Sequence, residues 1–198
     1  SNSKQVMLIT EGSTESKIIQ TALDWIYPDL NTFFEFIDME KNYPFTGTGN
    51  IVNFYYGLCK IGPSKRIIFI FDNDTAGNNA KKKCISENHS NIKHITLPSL
   101  TEFSNFRTIG PSVEYYEDIN GKAVSIELFL DLSFSNQKQP IIRWFSFDEH
   151  ANQYQGSLIN KDSYSKKYFQ AYRNKDSNYN LEKLKTLLHE LFRVVKIA

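Results

Sequence analysis

RIIFIFDNDTAG, residues 66–77, is a continuous apolar run that stops abruptly on two carboxylates one residue apart. An unbroken run of Ile and Phe, with no polar residue at alternate positions, is the pattern of a strand buried on both faces, as in a parallel sheet covered by helices. If the extended geometry persists past Phe71, Asp72 and Asp74 leave the same face and Asn73 points away. Asp-Asn-Asp before Thr-Ala-Gly is also a fair turn and helix-start sequence, so spacing alone leaves both readings open.

Outward from this stretch, the first hundred residues alternate strand-like and helical runs, which predicts βαβ units around a mostly parallel sheet. QVMLIT is the first strand. Ser13 or Thr14 is placed to cap the helix after it, in which Ile18, Ile19, Ala22, Leu23 and Ile26 recur at helical spacing, with Pro28 closing it. FFEFID reads as a second strand, KNYPFTGTGN as a loop, and Asn50 as the cap of a helix carrying Ile51, Val52, Phe54, Tyr55 and Leu58. A lysine-rich helix from Ala76 to Asn88 and the strand IKHITL complete the unit. TGTGN lacks P-loop spacing and is most simply a turn.

TEFSNFRTIGPSVEYYEDINGKA has few periodic apolar positions and is expected to be a long functional loop. A helix is expected from Ser125 through IELFLDL, then a strand at PIIRWFSF, a turn region at YQGSLIN and two closing helices. The last helix spaces Leu184, Leu187, Leu188, Leu191 and Phe192 on one face, which predicts a core stripe. The division expected is a core over residues 1–100 and a C-terminal α+β extension over 101–198 that completes the same domain.

The chain has 198 residues, 40% hydrophobic, and a formal charge of +1. That is enough to bury a core and too balanced to attract nucleic acid by a global field. Binding would have to rest on local patches such as Lys81, Lys82 and Lys83, or Lys161, Lys166 and Lys167, each of which also suits a solvated helix face. Cys59 and Cys84 form no CxxC or Cys/His cluster, which argues against a disulfide framework or structural zinc and fits a reducing cytoplasm. No apolar stretch approaches the roughly 20 residues of a membrane span. The opening Ser-Asn-Ser, without Met, has the look of a cloning remnant, so the chain is expected to belong to a longer protein.

Glu11 stands where the first strand gives way to its helix, and Glu15 follows one helical turn later. Ligands of parallel α/β sheets gather beyond the carboxyl ends of the strands, so Glu11, Asp72 and Asp74 are expected to converge if the first and third strands are neighbours. Two like charges about 4 Å apart repel by about 4 kcal/mol at an effective dielectric of about 20, so such a cluster needs protons or a cation. Oxygen ligands without His or thiolate favour Mg²⁺ or Mn²⁺ over zinc. Such a metal commonly serves phosphate chemistry. Against this, a glutamate at a helix start is favoured by the macrodipole alone.

LITEGSTES followed by IIFIFDNDTAG resembles the Toprim domain, whose signature is a strand-end Glu-Gly pair and a later strand-end Asp-x-Asp. TGTGNIV, DINGKAVSIELFLD and YQGSLINK extend the resemblance to bacterial proteins in which a HEPN-type domain precedes the Toprim. The overcoming-lysogenization-defect nucleases are similar too. The resemblance implies a Rossmann-type α/β fold, with Glu11 as metal ligand or general acid/base and Asp72 and Asp74 as the metal-binding pair. It further implies Glu15 and Glu127 as acids that support a second metal, and Gly12 as a close backbone approach to phosphate. Lys161 would stabilise phosphoryl charge; separately, the local lysine patches make Lys81, Lys82, Lys166 and Lys167 candidate nucleic-acid contacts. For Glu127 and Lys161 a plain surface position is an equal reading.

The function expected is Mg²⁺-dependent cleavage of DNA or RNA in a bacterial defence or toxin-like protein, with a HEPN-type or other domain as partner and homo-oligomerisation open. The alternative is a Toprim-like module that binds nucleic acid or a partner without cutting. A topoisomerase would need a nucleophilic tyrosine, which nothing singles out among 11. A primase would bring a zinc module. A haloacid-dehalogenase-type phosphatase would have Thr or Val where Ala76 stands. The many Phe and Tyr residues suit base stacking, but core packing is the simpler expectation without a surface cluster.

Overall fold

Burial of β-branched and aromatic side chains on both faces of the central strands builds the first sheet. The computed structural model describes residues 5–37, 48–85, 89–110, 113–133 and 139–196. Along the chain run β1 (Val6–Thr10), α1 (Ser13–Ile26), β2 (Phe34–Phe36), α2 (Thr48–Ile61), β3 (Arg66–Phe71), β4 (Asn73–Asp74), α3 (Thr75–Ile85) and β5 (Ile92–Thr96). Then come β6 (Phe106–Ile109), β7 (Glu114–Glu117), β8 (Ala123–Val124), β9 (Ile142–Asp148), β10 (Gln153–Leu158), α4 (Lys161–Asn174) and α5 (Glu182–Val195). Contacts group the chain into two units, one within Ser1–Phe71, Gly77–Thr96 and Phe192–Ala198, the other within Asp72–Ala76 and Leu97–Leu191. Among the described residues no helix is long and apolar enough to cross a membrane.

In the first unit a parallel sheet has the order β2-β1-β3-β5 and is flanked by helices. β1 and β3 pair from Val6 beside Arg66 to Thr10 beside Ile70. Ile67, Phe69 and Phe71 join Ile9, Ile51, Val52 and Tyr55 in one core cluster, and Ile68 and Ile70, on the opposite face of β3, are also buried. The RIIFIF stretch is therefore the doubly buried strand that its composition predicts. α1 buries Ile18, Ile19, Ala22 and Leu23. At the C-terminal end of α5, Phe192 stacks on Phe34 and meets Tyr27 edge-on. Arg66 Nη2 and Lys93 Nζ donate to the Val195 and Val194 carbonyls, which places cations on the last turn, where the helix dipole favours them.

In the second unit a four-stranded sheet has the order β10-β9-β6-β7, and β4 pairs antiparallel with β8. β9 and β10 form a hairpin whose register shifts between Gln155 and Gly156. Leu184, Leu187, Leu188 and Leu191 are buried as the helical stripe requires.

Several sequence expectations are corrected. Residues 101–124 are not one long loop: they hold a 3-10 turn (Thr101–Asn105), β6, β7 and β8. The strands are short, and β7 buries none of its residues, so no apolar period marks them. They are held instead by polar cross-strand contacts, Arg107 to Glu114 and Thr108 Oγ1 to the Tyr115 carbonyl. The helix expected from Ser125 is a 3-10 turn, Ile126–Phe129. YQGSLIN is strand β10 rather than a turn region. Ser13 and Thr14 lie inside α1, whose N-cap is Gly12 with no side-chain cap hydrogen bond. Asn50 lies inside α2, which already begins at Thr48. The strand end at Asp38, the loop over 41–47 and the helix end over 86–88 lie outside the described residues.

Gly156 is required by packing. A Cβ there would lie 2.5 Å from Trp144 Cε3 and 2.8 Å from Ile142 Cγ2, and both neighbours are buried. Gly156→Ala is expected to destabilise the protein by about 1–3 kcal/mol through overpacking, read as a lower urea midpoint. Cys59 and Cys84 are free thiols in the first unit's core cluster. Burial, reinforced by Cys59, pushes the Cys84 thiol up to about 12. Iodoacetamide at pH 8 is therefore expected to alkylate the half-buried Cys59 well before Cys84, with Cys84 reacting at full rate only in denaturant, as mass spectrometry of timed samples would show.

Candidate functional site

In the first unit, chain direction reverses across the sheet: β1 leads through α1 to β2 on one side, while β3 lies on the other. The switch point thus falls between β1 and β3, and in open α/β sheets the crevice beyond the strand ends at that point is where ligands bind. Glu11 follows β1 directly and is half-buried. Gly12 is extended, and its carbonyl accepts from Thr10 Oγ1 at 2.7 Å and from the Ser16 amide at 3.4 Å. A Cβ on Gly12 would fall 2.6 Å from Glu15 Oε2. The absence of a side chain therefore lets the Glu15 carboxylate fold back over the loop backbone at the positive end of α1. Lys81 is half-buried and Lys82 and Lys83 are exposed on α3. The positive charge of Lys81 adds to burial in holding the His94 imidazole below its usual range.

The second unit carries the Asp-Asn-Asp segment. Asn73 is buried and its Nδ2 donates to Ser99 Oγ at 3.0 Å, while Asp72 and Asp74 on either side are half-buried. The alternation expected from extended geometry is present. Asp74 is held from β10: Gln155 Nε2 donates to Asp74 Oδ2 at 2.6 Å, and Gln155 Oε1 accepts from the Ala76 amide at 3.0 Å. Thr75 Oγ1 donates to the Tyr154 carbonyl at 2.8 Å. One glutamine side chain thus bridges a carboxylate and the first turn of α3. The sequence reading missed Gln155 because the glycine beside it looks like a turn signal.

On the other side of β4, the pairing places Asp74 opposite Ala123 and Asn73 opposite Val124. Glu127 follows a few residues later, on the 3-10 turn. It is only 3% exposed and accepts a hydrogen bond from Ser125 Oγ at 2.7 Å. It is a buried acid, not a surface residue. α4 packs on that turn and buries Tyr164 and Tyr168. Lys161, at its first position, and Lys166 are exposed, and Lys167 is half-buried.

The donors at these positions are carboxylate and amide oxygens, the chemistry of a hard divalent cation. Among the described residues no group of three or more His, Cys, Asp and Glu side chains is gathered closely enough to hold a metal. The local assembly is Asp74 with Gln155 in the second unit, and Glu15 over Gly12 in the first.

Removing the donor to a buried carboxylate leaves it undersolvated. Ser125→Ala is expected to cost about 1–3 kcal/mol of stability, measured as a shift in the urea midpoint, with Ser125→Thr retaining most of it.

Compared with protein-family models, with curated proteins and with solved structures, the chain matches none of them.

Proposed function

We propose that the chain is a Toprim-type catalytic domain that cleaves phosphodiester bonds in DNA or RNA with Mg²⁺ or Mn²⁺. The observation that carries this reading is the Asp-Asn-Asp segment past β3: Asn73 turns inward onto Ser99, and the two carboxylates flank it with Asp74 oriented by Gln155. The parallel sheet with its switch point between β1 and β3, and Glu11 directly after β1, support it.

In this reading Asp72 and Asp74 are cation ligands, and the sequence resemblance adds Glu11 as a ligand or general acid/base and Glu15 and Glu127 as acids for a second ion. Bound there, a divalent ion supplies a water of lowered pKa and neutralises phosphoryl oxygens. The chain's own residues do the rest. Gln155 fixes the Asp74 carboxylate, as outer-shell partners do. Gly12 lets the backbone approach a phosphate. Lys161 stabilises charge on the scissile phosphate, with Lys81, Lys82, Lys166 and Lys167 as contacts along the backbone. A HEPN-type partner domain and a role in bacterial defence rest on the sequence resemblance alone.

The test pairs calorimetric titration of Mg²⁺ and Mn²⁺ with cleavage of labelled DNA and RNA. Asp72→Asn/Asp74→Asn is expected to lose metal binding and cutting together while keeping its fold. Gln155→Ala is expected to weaken metal affinity about 10- to 100-fold. Metal-independent behaviour of the parent, or full activity in the double variant, sinks the reading. Binding of nucleic acid without cleavage would instead mark a non-catalytic Toprim-like module.

A further inference from the structure

The slip in the β9–β10 register falls on β9. Gln155 is opposite Ser146 and Gly156 opposite Trp144, so Phe145 is passed over and β10 alternates without a break. Residues two apart on β10 therefore share a face, and Gln155 and Ser157 lie together. Ser157 is opposite Arg143, and Arg143 is opposite Ile109 on β6, so these four occupy the face of the sheet away from the buried Ile142 and Trp144. Arg143 and Gln155 are diagonal neighbours, about 7–8 Å apart, a spacing that long side chains bridge. Gln155 Nε2 donates to Asp74 Oδ2 at 2.6 Å, which ties the carboxylate to one end of this row. On the other side of Arg143 the face opens into a cleft of about 430 Å³, lined by Arg107, Ile109, Ile141, Ile159 and Tyr164 among others. That volume lies within the range of small-ligand clefts, roughly 300–1,000 Å³.

We infer that Arg143 binds the phosphodiester group held at Asp74, with the adjoining nucleoside of the same strand in the cleft. The Arg143 guanidinium is exposed and has no hydrogen bond or ion pair among the described residues. Its charged neighbours on this face are already engaged: Arg107 is neutralised by Glu114, and Asp148, at the hairpin turn, accepts from the Ala151 amide at 2.9 Å. Arg143 is therefore a cation that the fold does not consume, and its planar fork matches two phosphate oxygens at once. A carboxylate repels phosphate, so a phosphodiester beside Asp74 needs positive charge on both sides. A divalent ion supplies one side in the proposed function, and Arg143, one diagonal step from Gln155, supplies the other. The cleft next to it offers Ile109, Ile141 and Ile159 as an apolar wall for the flat faces of a nucleoside. The inference deepens the proposed function by naming the residue that meets the substrate phosphate. It rests on that reading for the metal at Asp74, whereas the phosphate contact is testable without cutting.

The test compares steady-state cleavage of labelled DNA and RNA oligonucleotides in Mg²⁺ or Mn²⁺ with their binding in EDTA, read by fluorescence anisotropy across a salt series. Arg143→Gln is expected to lower kcat about 10²-fold with KM changed far less, as for a contact made chiefly in the transition state. It should also flatten the salt dependence of binding by about one ion. Arg143→Lys keeps the charge and should restore that slope and part of kcat. Ile109→Trp, which fills the cleft, is expected to raise KM about fivefold with kcat kept. Circular dichroism and the urea midpoint check that each variant folds like the parent. A folded Arg143→Gln protein that matches the parent in kcat and in salt slope overturns the inference. A flattened slope with kcat unchanged also overturns it, since Arg143 would then meet a phosphate away from Asp74. An unchanged KM in Ile109→Trp removes the nucleoside from the cleft. If Asp72→Asn/Asp74→Asn loses cutting while Arg143→Gln cuts and binds like the parent, the nuclease reading stands and this one fails. If the parent cuts nothing, the nuclease reading fails and the salt slope decides: flattened in Arg143→Gln, the phosphate contact stands, and unchanged, it falls as well.

Discussion

The parallel pairing of β1 with β3, Val6 beside Arg66 through Thr10 beside Ile70, is the constraint on which the first unit depends. Because β3 is buried on both faces, no polar side chain can be accommodated along it without a partner. The chain can present carboxylates only once it has left the sheet, and it does so immediately on both neighbouring strands, with Glu11 after Thr10 and Asp72 after Phe71. The switch in chain direction falls between these two strands, the point at which open α/β sheets bind their ligands.

Within the second unit a small irregularity carries comparable weight. The β9–β10 register slips between Gln155 and Gly156, and a bulge of this kind re-aims the side chains around it. Gly156 makes the slip compatible with Trp144, whose ring occupies the space a side chain would need. Gln155 is left to reach out of the hairpin to Asp74 and the Ala76 amide. Packing of an indole against a glycine and orientation of a carboxylate are thus consequences of one backbone feature. Beyond the slip, Phe147 and Tyr154 continue the face of Trp144 and Ile142 out into exposed surface.

Polar groups in this unit are placed by local chemistry more than by charge pairing. Asn73 is turned inward by Ser99, Glu127 is satisfied by Ser125 two residues before it, and Asp131 accepts from the Ser133 and Asn180 amides. Neutral donors hold carboxylates in position without cancelling their charge, whereas an ion pair would compete with a cation for the same oxygens.

Local periodicity and buried apolar runs were legible in the sequence without any knowledge of the fold. RIIFIF reads as a doubly buried strand, and α1 and α5 as helices that bury their 3.6-residue stripes, whereas Asp72 and Asp74 share a side because Asn73 turns inward onto Ser99. Features that depend on partners distant in the chain were decided by the tertiary structure. The short strands β6, β7 and β10 carry no apolar period and exist because neighbouring strands complete their hydrogen bonds. Glu127 is a buried acid because α4 packs on its turn. Gln155 became an outer partner of Asp74, and Phe145 and Phe147 became surface rather than core, because burial and bonding of a strand are settled by its neighbours, and alternation along one strand cannot say which face the rest of the fold will cover.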